Sequence, residues 1–284
     1  MWRSKTIDLK HALGNLQEQL TCLGDDAPSN TALVVLGHIL NQEKAWLLAH
    51  PEYQLSQEQK INLDHTTSRL MNGIPLPYIL GQWAFYNRSF FVTPQVLIPR
   101  PETELLVERA IHLAQNLDQL TIVDVGTGSG AIAVSLSAEL PQAEIIAVDI
   151  SFQALLVAKQ NAARYHQPHI HFILSNLLQP FHTPINMICA NLPYIPSDKL
   201  KGLEVTHYEP RLALDGGHDG LKVIGDLLDQ AQRLLAKPGV ILLEIEAGIG
   251  ENALILAKMT FPGSEISLHK DLAGRDRLVE IVQS

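Results

Sequence analysis

Leu9, Leu13, Leu16 and Leu20 recur every three or four residues among polar neighbours, the period of one helix face. Residues 31–40 repeat it with Leu33, Val34, Leu36, Ile39 and Leu40, behind a Ser29-Asn30 cap candidate. Residues 56–71 predict a further helix, placing Ile61, Leu63, Leu70 and Met71 among polar positions. Residues 1–75 therefore read as a helical domain, and Pro75 and Pro77 end its pattern. Residues 83–86 and 89–92 flank Asn87-Arg88 and predict a hairpin of aromatic-rich strands. With Pro94 and Pro99 stiffening its exit, residues 76–99 form a connector.

Beyond it the texture changes. Apolar runs at 121–125, 144–150, 169–174, 185–190 and 240–246 predict strands, and residues 131–140, 152–165, 221–236 and 252–259 predict helices between them. Strands apolar on both faces, alternating with helices, predict an α/β domain over residues 100–284 with a doubly wound parallel sheet. Residues 266–270 and 277–282 follow without an intervening helix, so this last pair should run antiparallel.

Composition narrows the function classes. The 46% hydrophobic and 18% charged residues of the 284-residue chain describe a folded protein and exclude a disordered one. A net charge of -9 disfavours a broad nucleic-acid footprint, which needs clustered Lys and Arg, so no stable nucleic-acid binding is expected. The residues up to Leu80 hold six basic and eight acidic side chains, so the helical domain is no basic arm either. Cys22 and Cys189 alone exclude a disulfide framework and a Cys-rich zinc site, and fit a reducing compartment. His166, His169 and His171 lack metal-ligand spacing, and no metal is expected. Met1-Trp2-Arg3-Ser4-Lys5 opens no apolar leader, and no run approaches a membrane span. The expectation is a cytoplasmic, monomeric protein off the membrane.

Asp124-Val125-Gly126-Thr127-Gly128-Ser129-Gly130 joins the first strand of the sheet to its helix. Glycines let backbone approach a ligand closely, and the helix N-terminus adds unpaired N–H groups. Asp149 ends the next strand, 23 residues after Gly126, where its carboxylate can accept both ribose hydroxyls. The Gly-x-Gly-x-Gly spacing differs from the dinucleotide Gly-x-Gly-x-x-Gly, and Asp124 would repel a pyrophosphate while suiting a sulfonium. S-adenosyl-L-methionine is therefore expected rather than NAD. After the fourth strand, Asn191-Leu192-Pro193-Tyr194 occupies the carboxyl edge, where ligands bind in open α/β sheets.

That tetrapeptide resembles the Asn-Pro-Pro-Tyr motif of methyltransferases acting on planar amino groups. The delocalised lone pair of an amide needs two acceptors to hold its N–H bonds. The resemblance implies that the Asn191 side-chain oxygen and the carbonyl of Leu192 supply them, while Tyr194 packs on the flat group. Leu192 replaces the usual proline but keeps the carbonyl. The block Pro77-Tyr78-Ile79-Leu80-Gly81, then Val96-Leu97-Ile98-Pro99-Arg100-Pro101-Glu102-Thr103-Glu104, and later Glu209-Pro210-Arg211, is similar to the HemK/PrmC family. These are protein-(glutamine-N5) methyltransferases acting on peptide-chain release factors, with a class I methyltransferase fold and a helical N-terminal domain. The resemblance implies methyl transfer to the glutamine of a Gly-Gly-Gln segment, with the helical domain recognising the substrate. Pro101 can also simply start a helix whose dipole Glu102 and Glu104 complement. The implied catalytic residues are Asn191, Leu192, Pro193 and Tyr194. Gly126, Thr127, Gly128, Ser129, Gly130, Asp149, Asn176, Leu177 and Asn191 would bind the cofactor, with Asn176 and Leu177 near its adenine. Rival readings are a ribosomal-protein glutamine, an exocyclic amine of RNA or DNA, a non-catalytic cofactor-binding scaffold and an NAD-linked oxidoreductase.

Overall fold

The computed structural model describes residues 7–115 and 120–284. The sequence read at positions 1–5 lies outside them. The chain divides into two compact units, Met1–Gly81 and Gln82–Ser284.

The first unit is helical. α1 (Leu9–Cys22) is capped by Asp8, whose carboxylate accepts from the His11 amide at 2.9 Å. α2 (Pro28–Leu40), α3 (Lys44–Ala49), α4 (Gln57–Met71) and the single-turn α5 (Leu76–Leu80) follow. Leu9, Leu16, Val35, Leu36, Leu47 and Leu63 meet in its core, so the leucine spacing marks the inward faces. Several details differ from the expectation, and Val34, Ile61 and Met71 of the apolar pattern are exposed. Ser29 and Asn30 lie inside α2 instead of capping it, because Pro28 takes the first helical position, where a missing N–H costs nothing. Pro77 likewise sits in the first turn of α5 and does not end helical structure.

The second unit opens with β1 (Gln82–Phe85) and β2 (Arg88–Phe91), a hairpin shifted by one residue from the predicted strands. Its turn is Tyr86-Asn87, both at positive φ (45° and 57°), the backbone a two-residue hairpin turn requires. The Tyr86 N–H donates to the Glu104 carboxylate at 2.9 Å, which helps hold an aromatic residue there.

A short 3₁₀ turn, Pro101–Thr103, leads into α6 (Glu104–Ala114). Then come β3 (Thr121–Val125), α7 (Ala131–Glu139), β4 (Glu144–Asp149), α8 (Phe152–Arg164), β5 (His171–Leu174) and β6 (Ile185–Ala190). α9 (Lys222–Ala231), β7 (Leu235–Glu244), α10 (Gly250–Thr260), β8 (Glu265–Lys270) and β9 (Asp276–Gln283) complete it. The predicted helix 221–236 is shorter than expected because Leu235 is already paired with Ile185 of β6; an apolar run looks alike in a buried helix and a buried strand.

The sheet order is β5-β4-β3-β6-β7-β9-β8. Strands β3 to β7 are mutually parallel, and β9 runs antiparallel to both β7 and β8. Alternate residues of the central strands feed opposite cores. Val123, Ile188, Ile241 and Val279 pack under α9 and α10, whereas Ile122, Met187, Cys189, Leu242 and Leu278 pack under α6 and α7. Cys189 is fully buried there as a small apolar residue. Chain order reverses between β3 and β6, so the crevice at their carboxyl ends is the topological switch point.

Candidate active site

Val125 pairs with Ala190 across that switch point, so the glycine loop and the Asn-Leu-Pro-Tyr segment leave the sheet side by side. A cavity of about 470 Å³ opens there. Gly126, Thr127, Gly128, Ser129, Asp149, Asn176, Leu177, Asn191, Leu192 and Pro193 all line it. Gly130 and Tyr194 are not on its wall.

The loop is built for close approach. Gly126 has φ +75°, and a Cβ there would come within 3.0 Å of Leu192 Cδ2, so loop and tetrapeptide are already in contact. Gly130 has φ +79° and caps α7; a Cβ would meet the Ala158 Cβ at 3.0 Å and its Cα at 3.1 Å. It shapes the turn from behind the cavity wall.

Asp149 folds over this loop. One carboxylate oxygen accepts from the Gly128 N–H at 2.9 Å and the other from the Ser151 N–H at 2.8 Å. The carboxylate retains acceptor capacity for a hydroxyl. Burial raises the Asp149 pKa, and the backbone donors Ser151, Gly128 and Ile150 oppose that. Asp124 takes a different place from the one its spacing suggested. It is fully buried and absent from the cavity wall, with one oxygen accepting from Thr127 Oγ1 at 2.6 Å and the Ala133 N–H at 3.1 Å. It braces the loop and the first turn of α7 and does not face a sulfonium. Its other oxygen has no hydrogen-bond partner among the described residues, and burial pushes its pKa up to about 7.

Leu177 adopts φ +53°, rare for a bulky residue, and its side chain is buried beside an exposed Asn176. Gln230 of α9 accepts from the Leu178 N–H at 2.9 Å and fixes the next residue of this bend. Asn191 donates from Nδ2 to Thr103 Oγ1 at 3.0 Å. Tyr194 is partly buried against the core under α9; burial and the Glu244 charge push its hydroxyl up to about 12, so it stays neutral.

The Pro99-Arg100-Pro101-Glu102-Thr103-Glu104 block splices several elements together. Arg100 pairs with Glu209 at 2.5 Å, Glu102 faces Arg277 at 3.8 Å, Thr103 meets Asn191, and Glu104 holds the hairpin turn. Arg100, Thr103, Pro210 and Arg211 reach the cavity wall, so the two distant sequence blocks share one rim. Sequence reasoning missed Asp215. It lines the cavity, accepts from Ser197 Oγ at 2.5 Å and the Gly217 N–H at 3.2 Å, and has a pKa lowered chiefly by Ser197. The signal was its place before Gly216-Gly217, a turn sequence. It missed Asn161 as well, a buried polar residue inside an otherwise ordinary helix.

The residues present fit a nucleoside. A glycine-rich loop that admits close backbone approach and a buried carboxylate that can accept from a hydroxyl converge on one apolar-walled cleft.

Family models described as the PrmC N-terminal domain and the methyltransferase small domain match residues 11–81 and 101–207. The chain is 34% identical to a release factor glutamine methyltransferase of Bacillus cereus, over 95% of this chain and 96% of that protein. It is 42% identical to one of Enterococcus faecalis, covering 82% and 84%. Among solved structures, a SAM-dependent methyltransferase from Agrobacterium tumefaciens superposes with a TM-score of 0.50 at 16% identity, covering 72% of this chain and 71% of that one. That last likeness concerns the fold alone.

Proposed function

Since the chain belongs to the release factor glutamine methyltransferase family, we propose that its cleft methylates the side-chain amide nitrogen of the Gly-Gly-Gln glutamine in a peptide-chain release factor. The observation that carries this reading is the anchoring of Asn191 by its NH₂ to Thr103, at the cavity wall and against the glycine loop. An anchored NH₂ leaves Asn191 Oδ1 as an acceptor for a substrate N–H.

S-adenosyl-L-methionine, when bound, would supply an electrophilic methyl group, the S–CH₃ electron pair staying on sulfur as a neutral thioether. Gly126, Thr127, Gly128 and Ser129 would cradle it, Asp149 would accept from its ribose hydroxyls, and Asn176 and Leu177 would flank its adenine. Gly130 keeps the loop in shape. Asn191 Oδ1 and the Leu192 carbonyl take the two N–H bonds of the glutamine amide and turn its lone pair toward the methyl. Pro193 stiffens the segment, and Tyr194 supports it from the core side. The nitrogen gains a methyl and gives up one proton to solvent. No strong base is needed, because rate comes from proximity and from acceptors fixed in advance.

The helical unit is read as the substrate-recognition domain, and the enzyme as a cytoplasmic monomer without stable nucleic-acid contacts. No helix among the described residues is long and apolar enough to cross a membrane. The test is incubation with methyl-labelled cofactor followed by mass spectrometry. A single methyl on the Gly-Gly-Gln glutamine is expected. Labelling of a ribosomal protein or of RNA in its place would overturn the substrate assignment.

A further inference from the structure

The amide clamp works only if Asn191 presents its oxygen and not its nitrogen. Thr103 alone does not decide this, since a hydroxyl both donates and accepts. Leu243 pairs with Ala190, so Glu244, the last residue of β7, leaves the sheet beside Asn191, and its charge is favoured by the side chains of Thr103 and Asn191. Only 4% of it is exposed, it forms no salt bridge among the described residues, and its Oε2 has no hydrogen-bond partner among them. An ionised carboxylate accepts only. Its charge favours the Thr103 O–H and the Asn191 NH₂ over their acceptor ends, the polarity in which Thr103 Oγ1 accepts from Asn191 Nδ2 at 3.0 Å. One charge thereby biases the polarity of the pair.

We propose that Glu244 is a positioning residue for the methyl transfer: with Thr103 it holds Asn191 by its NH₂, so that Oδ1 is the end offered to the substrate amide. This rests on the reading of Asn191 as an acceptor given above. A purely structural explanation accounts poorly for Glu244. A buried carboxylate lacking a paired cation opposes folding, and a neutral residue of similar volume would serve the core better. Arg277, the cation that favours its charge, is committed to Asp271 at 2.9 Å.

Burial holds the Glu244 pKa at about 7, raised further by Glu102 and lowered by Thr103, Arg277 and Asn191. Tyr194, the remaining titratable neighbour, stays neutral up to about pH 12. Protonated Glu244 acquires a donor and no longer dictates which way Thr103 and Asn191 point. Turnover should therefore fall on the acid side of about pH 7.

The test compares wild type with Glu244→Gln, Glu244→Asp and Thr103→Val on intact release factor, measuring kcat, KM, cofactor Kd and Tm across pH 6 to 9. Glu244→Gln places a donor where the carboxylate was. It should lower kcat by about 10-fold or more, leave KM and cofactor Kd within about twofold, and keep Tm at or above wild type at pH 8. The acid limb near pH 7 should disappear with it, and Glu244→Asp should recover part of kcat. Adding Thr103→Val should cost little more, because both act through Asn191. Full kcat with the acid limb intact in Glu244→Gln would overturn the proposal, and so would parallel losses of Tm, cofactor affinity and kcat. Asn191→Ala separates the two readings. If it is inactive while Glu244→Gln is normal, only the positioning role fails; if it is active, the amide clamp itself fails.

Discussion

The Asn161 side-chain amide donates to the Ser129 carbonyl at 2.8 Å, so a residue in the last turn of α8 holds the glycine loop by its backbone. The same amide donates to the Phe91 carbonyl at 3.0 Å and accepts from the Phe91 N–H at 2.7 Å. One fully buried side chain thus fastens β2 and the loop to a single point.

Asn161→Leu keeps the approximate volume but strands the Ser129 carbonyl and both polar groups of Phe91. It should cost about 2–4 kcal/mol, the range for leaving several buried groups unsatisfied. Cofactor affinity should fall as well, since the loop loses its tether. Denaturant midpoints and calorimetry check both, and a stability change under about 1 kcal/mol would mean the three bonds are not holding the loop.

Much of this was legible in the chain. The parallel strands announce themselves as apolar runs because both faces are buried, and the glycine loop and Asp149 stand out because ligand approach restricts residue type. The long proline-rich block and the tetrapeptide carried the family. What was not legible depends on tertiary partners. Asn161 reads as a neutral helix residue until Phe91 and Ser129 arrive from elsewhere in the sequence. Asp124 invited a ligand role by proximity, but helix α7 turns back over it and claims its oxygen through Ala133. Glu244 falls within the predicted strand 240–246, where nothing in the local sequence signals that Asn191 and Thr103 arrive beside it.

Asp149 should separate cofactor binding from loop integrity. Asp149→Ala removes acceptors for two hydroxyls and also frees the Gly128 N–H, so cofactor affinity should fall by roughly 10- to 100-fold, about 1.4–2.7 kcal/mol. Asp149→Asn retains an acceptor for one position and should lie between the two. Unchanged affinity in calorimetry would place the nucleoside elsewhere, and tight NAD binding would contradict the cofactor assignment outright.

Asp124 makes a prediction about pH. Its folded pKa of about 7 lies above its ordinary 3.8, chiefly through burial, so the folded state binds a proton more tightly than the unfolded one. That contribution to stability is complete below about pH 4 and is lost as pH rises toward 7, on the order of 2–4 kcal/mol. Asp8, Asp215 and Asp271 shift in the opposite direction, and their contributions vanish only below pH 4, outside this window. Melting of wild type should therefore decline between pH 5 and 8. Asp124→Asn keeps a carbonyl for Thr127 and Ala133 and should show a shallower decline; an identical slope would mean Asp124 does not titrate there.

The helical unit carries the last prediction, about substrate selection. A single glutamine between glycines offers few atoms to grip, so affinity for a release factor must come from a second surface. A linked second contact raises the effective concentration of the glutamine at the cleft without any change in the cleft itself. The net charge of -9 also disfavours competition from ribosomal RNA, which leaves the free factor as the accessible substrate. A shortened chain beginning at Gln82 retains the hairpin, Asn161 and the entire cavity wall. It should bind cofactor with near-normal affinity, methylate a short Gly-Gly-Gln peptide as poorly as the full chain does, and lose most of its kcat/KM on the intact factor. Label transfer to factor and peptide, measured side by side for both chains, reads this directly. If the shortened chain matched the full one on the intact factor, recognition would have to reside in the rim formed by Arg100, Pro210 and Arg211.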